Sequence, residues 1–230
     1  MIEYALFDLD ETLYPRESGL LQLVGQRIES YLIERLHMTP QEAARLRAEY
    51  RERYGTTLGG LLAQRLADPE DYLLYVHDIP VEEIIRPDPE LDRVLGELPW
   101  ECAIFTNSDW RHTERVLAAL GIRRHFRRIF DIVSTGYQQK PRPAAYECVL
   151  KELSIPGSAC LIADDSLKNL MAAKDWQMTT VWVGPNTTVT EGVDFAIPQI
   201  AAIAEVAAQI RARGKPYPPP TTGTAGMPTG

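Results

Sequence analysis

Four short polar clusters hold side chains capable of chemistry: Asp8-Leu9-Asp10-Glu11-Thr12, Thr106-Asn107-Ser108, Lys140-Pro141 and Asp164-Asp165-Ser166. Asp8 and Asp10 stand two apart, so on an extended chain both carboxylates point to one side. With Asp165 beside them, three carboxylates crowd one small space, and each raises the pKa values of the others. A hard divalent cation resolves that conflict. Mg²⁺ takes oxygen ligands, keeps several waters, and uses one or two carboxylates together with a substrate phosphate. Lys140 brings a second positive charge, and Thr106 and Asn107 bring hydroxyl and amide donors. Such a set is a receptor for a small dianion, of which phosphate is the obvious one. Any one cluster alone also reads as a turn or a helix cap. All four in order, each after an apolar run, are much harder to assign to accident.

The elements that must position these groups follow from hydrophobic spacing. Five apolar runs stand out: Tyr4–Phe7, Cys102–Phe105, Ile129–Val133, Cys160–Ala163 and Thr180–Val183. Most are apolar at successive positions, as in strands buried on both faces of a parallel sheet. Helical patterns lie between the later runs. Thr113, Val116, Leu117 and Leu120 share a face that ends at Gly121, a C-cap residue; Ala145, Val149 and Leu153 do the same before Pro156. The alternation predicts a doubly wound α/β domain, a parallel sheet with helices on both faces, formed by residues 1–15 and 89–213. In such sheets ligands bind beyond the carboxyl ends of the strands, where the polar clusters fall.

Residues 16–88 break the alternation. Leu20, Leu23, Val24, Ile28, Tyr31 and Leu32 have helical spacing, and a second helix is predicted from Pro40, with Thr39 as N-cap and Glu42 as its box partner. Leu61, Leu62 and Leu66, then Tyr72, Leu73 and Val76, predict two more. The expectation is an all-helical insert over residues 16–88, after the first strand. The tail, residues 214–230, is rich in Pro, Gly and Thr, with little to bury, and is expected to be disordered or extended.

The chain has 230 residues, 45% hydrophobic and 24% charged, with a formal net charge of −8. That charge disfavours nucleic acid and anionic lipid as partners and leaves a small phosphorylated metabolite as the expected one. No run reaches the ~18 apolar residues of a membrane span, and the N-terminus lacks the basic and apolar regions of a signal peptide. Three cysteines without CxxC spacing, Cys102, Cys148 and Cys160, fit reduced structural thiols and a cytoplasmic location.

The ordered motifs resemble those of the haloacid-dehalogenase-like (HAD) superfamily. Asp8-Leu9-Asp10-Glu11-Thr12 is similar to its DxDxT motif, Thr106-Asn107-Ser108 to its second, Lys140-Pro141 to its third, and Asp164-Asp165-Ser166 with Asn169 to its fourth. The resemblance implies a Rossmann-like core with a helical cap, and it implies roles. Asp8 is then the nucleophile that forms an aspartyl-phosphate. Asp10 is the acid/base, protonating the leaving oxygen and then activating water. Mg²⁺ is held by the Asp8 carboxylate, the Asp10 backbone carbonyl and Asp165. Thr106 and Lys140 bind phosphoryl oxygens, together with Leu9 and Asn107. Asp164 and Asn169 support these groups from behind. The dehalogenase branch has no acid two positions after its nucleophile, because a leaving halide needs no proton. A leaving alkoxide does, so Asp10 points to a phosphatase.

Substrate signals lie in the cap. Tyr54-Gly55-Thr56-Thr57-Leu58, Val76-His77-Asp78-Ile79 and Pro87-Asp88-Pro89 resemble segments of the pyrimidine 5′-nucleotidase branch. In that reading Tyr14 and Tyr54 stack a base, Thr56 and Thr57 face the substrate, and His77 is a structural residue under the cap. Tyr14 and Tyr54 also read as ordinary core tyrosines, and Thr56 or Thr57 as a helix N-cap. The remaining alternatives are a phosphatase for another small phosphate (a sugar phosphate, phosphoglycolate or pyridoxal phosphate), a phosphomutase, or a non-catalytic phosphate-binding protein.

Overall fold

The computed structural model describes residues 1–185, 188 and 192–213, so the Pro-, Gly- and Thr-rich tail lies outside the described residues. Six strands form one parallel sheet: β1 (Tyr4–Phe7), β2 (Glu101–Phe105), β3 (Phe126–Phe130), β4 (Cys160–Asp164), β5 (Thr179–Val183) and β6 (Phe195–Ile197). Their order is β3-β2-β1-β4-β5-β6. β1 is central, with Ala5 opposite Cys102 on one side and Leu161 on the other. The chain runs outward from β1 to β3, then returns to β4 across the sheet. The order therefore reverses between β1 and β4, and a crevice opens beyond their carboxyl ends.

Between β1 and β2 the chain forms α1 (Leu20–Leu36), α2 (Pro40–Tyr54), α3 (Thr57–Ala63) and α4 (Pro69–Val76), then the short α5 (Val81–Ile84). The α2 N-terminus is set by the expected capping box: the Thr39 hydroxyl accepts from the Glu42 N–H, and Glu42 accepts from the Thr39 N–H. These helices bury a core of their own, with Tyr31, Leu32, Ala43, Tyr50, Leu58, Leu61, Tyr72, Leu73 and Val76. Leu20, Val24 and the residues from Ile79 onward pack instead on the main core. The third helical pattern of the insert ends sooner than its leucines suggest, since α3 stops at Ala63 and Leu66 is exposed.

The sheet is covered on both faces, which is why its central strands are apolar at successive positions. Ala5, Phe7, Cys102 and Ile104 pack against α6 (Pro89–Glu97), α7 (Trp110–Leu120) and the C-terminal helix. Leu6, Ala103 and Phe105 pack against α8 (Pro143–Leu153) and α9 (Leu167–Lys174). The C-terminal helix is α10 (Ile203–Arg213). Gly121 ends α7 in the left-handed region at φ 76°, as a C-cap glycine must.

Two strand expectations are corrected. The third strand runs over Phe126–Phe130, not Ile129–Val133. It is an edge strand, and the exposed Arg127 and Arg128 interrupt its apolar signal while blunting the edge. Ile132 joins the core of the helical insert, and Val133 is exposed. β6, three residues long, closes the other edge and was not expected. No helix among the described residues is long and apolar enough to cross a membrane.

Candidate active site

Asp8 follows β1, Thr106 follows β2, and Asp164 and Asp165 end or follow β4, so adjacent parallel strands deliver them to one crevice. Asp8 and Asp10 do not meet there by strand alternation. β1 ends at Phe7, and the chain turns through residues 10–13 with Glu11 left-handed at φ 58°. Lys140 comes from the segment after β3 and is 1% exposed. Its Nζ donates to Asp8 Oδ1 at 2.9 Å and to Asp164 Oδ2 at 2.7 Å. Burial opposes its charge, but Asp164 and Asp8 outweigh that and hold the ammonium protonated.

Several groups serve to place Lys140. Asn107 brackets its backbone: Nδ2 donates to the Lys140 carbonyl at 3.0 Å, and Oδ1 accepts from its N–H at 2.8 Å. The Asn107 amide, expected to face phosphate, is thus committed to the lysine loop. The Asn107 backbone N–H and the Leu9 backbone N–H have no intramolecular partner among the described residues, and these remain as anion donors. Thr106 is buried, and its hydroxyl accepts from the Ser108 N–H at 3.1 Å. Asn169 donates to both oxygens of Asp164 at 3.0 Å, so it acts on Asp164 from behind.

Asp10 has a cradle of its own. Tyr14 Oη donates to Oδ1 at 2.6 Å, Ser108 Oγ to Oδ2 at 2.5 Å, and His112 Nε2 lies 3.2 Å from Oδ1. Burial pushes the Asp10 carboxyl up, but the bonds from His112, Ser108 and Tyr14 outweigh it and hold it far below the usual carboxylate range. Tyr14 is therefore not a base-stacking ring. It is buried, and its hydroxyl belongs to Asp10. From the sequence, His112 is not singled out, and Ser108 enters only within the Thr106-Asn107-Ser108 motif, without its role toward Asp10. The available signal was a histidine on the buried face of α7, beside Thr113 and Val116, four residues after a serine at a strand end. His112 stacks on His77 with ring centroids 4.4 Å apart, and His77 Nδ1 pairs with Asp109 Oδ2 at 3.1 Å. His112 Nδ1 is buried without a partner among the described residues.

Asp8, Asp10, Thr106, Asn107, Lys140 and Asp165 line one cavity of about 1180 Å³ between the sheet edge and the helical insert, and Tyr54, Thr56 and Thr57 line it too. Thr56 is also the N-cap of α3, its hydroxyl accepting from the Gly59 N–H at 2.9 Å. Thr57 is buried, and Tyr54 Oη accepts from Gln64.

A model of the haloacid dehalogenase-like hydrolases matches residues 2–175. The chain belongs to this HAD-like hydrolase family. It is 27% identical over 154 residues to Phosphate metabolism protein 8 of Saccharomyces cerevisiae, a match that takes in 62% of this chain and 46% of that protein, so the chain spans less than half of its relative's length. Among solved structures it is similar to a HAD phosphatase from Thermococcus onnurineus (TM-score 0.59, 20% identity, 89% of this chain and 97% of that one). It is equally similar to L-2-haloacid dehalogenase from Xanthobacter autotrophicus (TM-score 0.60, 19% identity, 91% and 99%). The HAD-hydrolase YfnB from Bacillus subtilis, solved with bound magnesium, matches at TM-score 0.59 and 17% identity over 90% and 99%. At these identities the likeness shows the HAD fold and leaves the chemistry to the site.

The donor set of this HAD site fits a hard divalent cation. One oxygen each from Asp8, Asp164 and Asp165 lies within 4.8 Å of the others. Burial pushes Asp8 well above the usual carboxylate range; Lys140 opposes this, while Asp164, Asp165 and Asp10 add to it. Burial, then Asp164 and Glu11, push Asp165 up to about 7 against Lys140 and Arg16. A dication offsets both effects. Asp164 is already engaged by Lys140, the Ser166 N–H and Asn169, whereas the Asp165 carboxylate accepts no hydrogen bond among the described residues. Asp8 and Asp165 are thus the side chains with capacity for a metal, and the Asp10 carboxylate is committed to its own cradle.

Proposed function

We propose that this HAD-like hydrolase is a Mg²⁺-dependent phosphatase for small phosphomonoesters, working through an aspartyl-phosphate on Asp8. The observation that carries the reading is the cradled Asp10 beside the Asp8–Lys140 pair. Cleavage of a carbon–halogen bond needs no proton donor, so a carboxylate oriented by three partners would be idle there. An alkoxide leaving phosphorus does need one.

Asp8 attacks phosphorus as the bond to the leaving oxygen breaks, and that oxygen takes its proton from Asp10. Water then attacks the aspartyl-phosphate and gives a proton to Asp10, which releases inorganic phosphate and restores Asp8. Asp10 becomes protonated when the phosphate dianion arrives, since a second negative charge beside it favours the neutral form. Lys140 stands against the charge that develops on the phosphoryl oxygens, with the N–H groups of Leu9 and Asn107 and the Thr106 hydroxyl around them. Held by Asp8, Asp165 and the Asp10 backbone carbonyl, Mg²⁺ would supply a further positive charge there.

The substrate favoured within this reading is a nucleoside 5′-monophosphate, a pyrimidine one by the resemblance of the cap segments. A cavity of about 1180 Å³ lined by Tyr54 and Thr57 supports a leaving group of nucleoside size. The name of the yeast relative accords with phosphate chemistry. The reading is tested by assaying p-nitrophenyl phosphate, UMP, CMP, AMP, sugar phosphates and phosphoglycolate with Mg²⁺ and with EDTA. Turnover that EDTA abolishes, highest on pyrimidine nucleotides, is expected. A flat profile removes the nucleotide preference, and no turnover on any ester removes the phosphatase.

A further inference from the structure

The cavity around Asp8 is lined by more positive charge than the chemistry above employs. Lys140 is engaged by Asp8 and Asp164. Arg47, Arg51, Arg53, Arg142 and Lys168 line the same space, and among the described residues Glu52 is the only lining carboxylate outside the strand-end clusters. The chain as a whole carries a net charge of −8, so this excess runs against the general surface.

These cations are short of partners. The side chains of Arg51, Arg142 and Lys168 make no ion pair or hydrogen bond among the described residues; Arg142 is half-buried, and Arg51 and Lys168 are exposed. Arg53 lies over the Tyr54 ring, 5.3 Å from its centroid. Arg47 pairs with Glu29 through Nη1 at 2.5 Å, yet its Nε is buried with no partner among the described residues. A buried N–H without an acceptor is a cost that a ligand oxygen removes.

Their placement follows from the elements. Arg47, Arg51 and Tyr54 stand at i, i+4 and i+7 on α2, which puts them on one helix face. Gly25 of α1 makes room for Arg47: a Cβ there would lie 2.6 Å from Nη2. Arg142 follows Lys140 by two residues at the N-cap of α8, and Lys168 follows Asp165 by three in the first turn of α9. Two residues span at most ~7 Å, so the backbone of Arg142 stays close to that of the phosphate-binding lysine. Both the helical insert and the core thus contribute unpaired cations to the one cavity.

We infer that this cavity contains a second anion-binding subsite, formed by Arg47, Arg51, Arg142 and Lys168, and that the leaving group of the substrate carries a carboxylate or a second phosphate. The inference rests on the phosphomonoester reading and narrows it. Within the nucleotide class, it extends the 5′-monophosphate reading to one whose sugar bears a further phosphate.

The test uses the full chain carrying Asp8→Asn, so that ligands bind without turnover. Affinities are measured by calorimetry in magnesium buffer for butanediol, pentanediol and hexanediol bisphosphates and for the matching diol monophosphates. At least one bisphosphate is expected to bind about tenfold tighter than its monophosphate, as a few partly exposed charge pairs allow. The preference should shrink as KCl is raised and collapse in Arg51→Ala/Arg142→Ala and in Lys168→Gln, with melting curves confirming the fold. Two equivalent ends alone give a factor of about two. A preference of that size or less at every length overturns the inference, as does a tenfold preference that survives both variants. Turnover of the same esters by the unsubstituted chain is a separate readout, so failure of the phosphatase reading is told apart from failure of the subsite.

Discussion

The two halves of the site treat the same side chain in opposite ways. On the Asp8–Asp165 side, carboxylates crowd one another with few donors, and Asp165 is held up to about 7. On the Asp10 side, a carboxylate of similar burial is surrounded by Tyr14, Ser108 and His112 and held far down. The first arrangement calls for a cation from outside, and the second is complete from the chain alone. Residue type therefore did not decide the roles of these aspartates. Their partners did, and those partners come from β4, α7, the turn after β1 and the segments after β2 and β3.

The comparison breaks most visibly at Asp10. Asp10→Asn should lower kcat/KM for an alkyl phosphate by about 10²–10⁴-fold, and much less for p-nitrophenyl phosphate, whose leaving group departs without a proton. Equal losses on both esters would show that Asp10 does not protonate the leaving oxygen. A smaller effect separates the two sides by metal. Mg²⁺ at about a hundred times its dissociation constant should stabilise the unsubstituted protein by about 2.7 kcal/mol, read as a rise in melting temperature. Asp165→Asn should lose that rise, and Asp10→Asn should keep it, since the Asp10 carboxylate is engaged elsewhere. The reverse pattern would exchange the two assignments. The smallest effect concerns the cradle itself. His112→Ala removes one hydrogen bond to a charged group and should cost about tenfold in kcat/KM on alkyl phosphates, again with less loss on p-nitrophenyl phosphate. An equal loss on both esters would mean that His112 serves only the fold.

The core was legible because its signals are local. β1, β2 and β4 are apolar at successive positions, and the polar clusters follow them directly. The Thr39–Glu42 box marked α2, and the gap between β1 and β2 held more helical pattern than a crossover needs. What was not legible depended on edges and on distance. β3 was displaced because an edge strand tolerates Arg127 and Arg128, and β6 is too short to stand out. Tyr14 reads from the sequence as a base-stacking ring or a core tyrosine, because nothing in its neighbourhood shows that a turn at Glu11 folds its hydroxyl back onto Asp10. Ser108 and His112 reach Asp10 from about a hundred residues away, and no spacing rule connects them. Asn107 was read as a ligand donor because its type suits one, whereas its amide holds the backbone of Lys140.

Asp8 as the nucleophile is put to the test by brief reaction with p-nitrophenyl phosphate and Mg²⁺, acid quench, and peptide mass spectrometry. A phosphoryl group on the peptide that contains Asp8, absent from the Asp8→Asn protein, is the predicted result. Turnover with no phosphoryl on that peptide, or turnover that persists in Asp8→Asn, would contradict it.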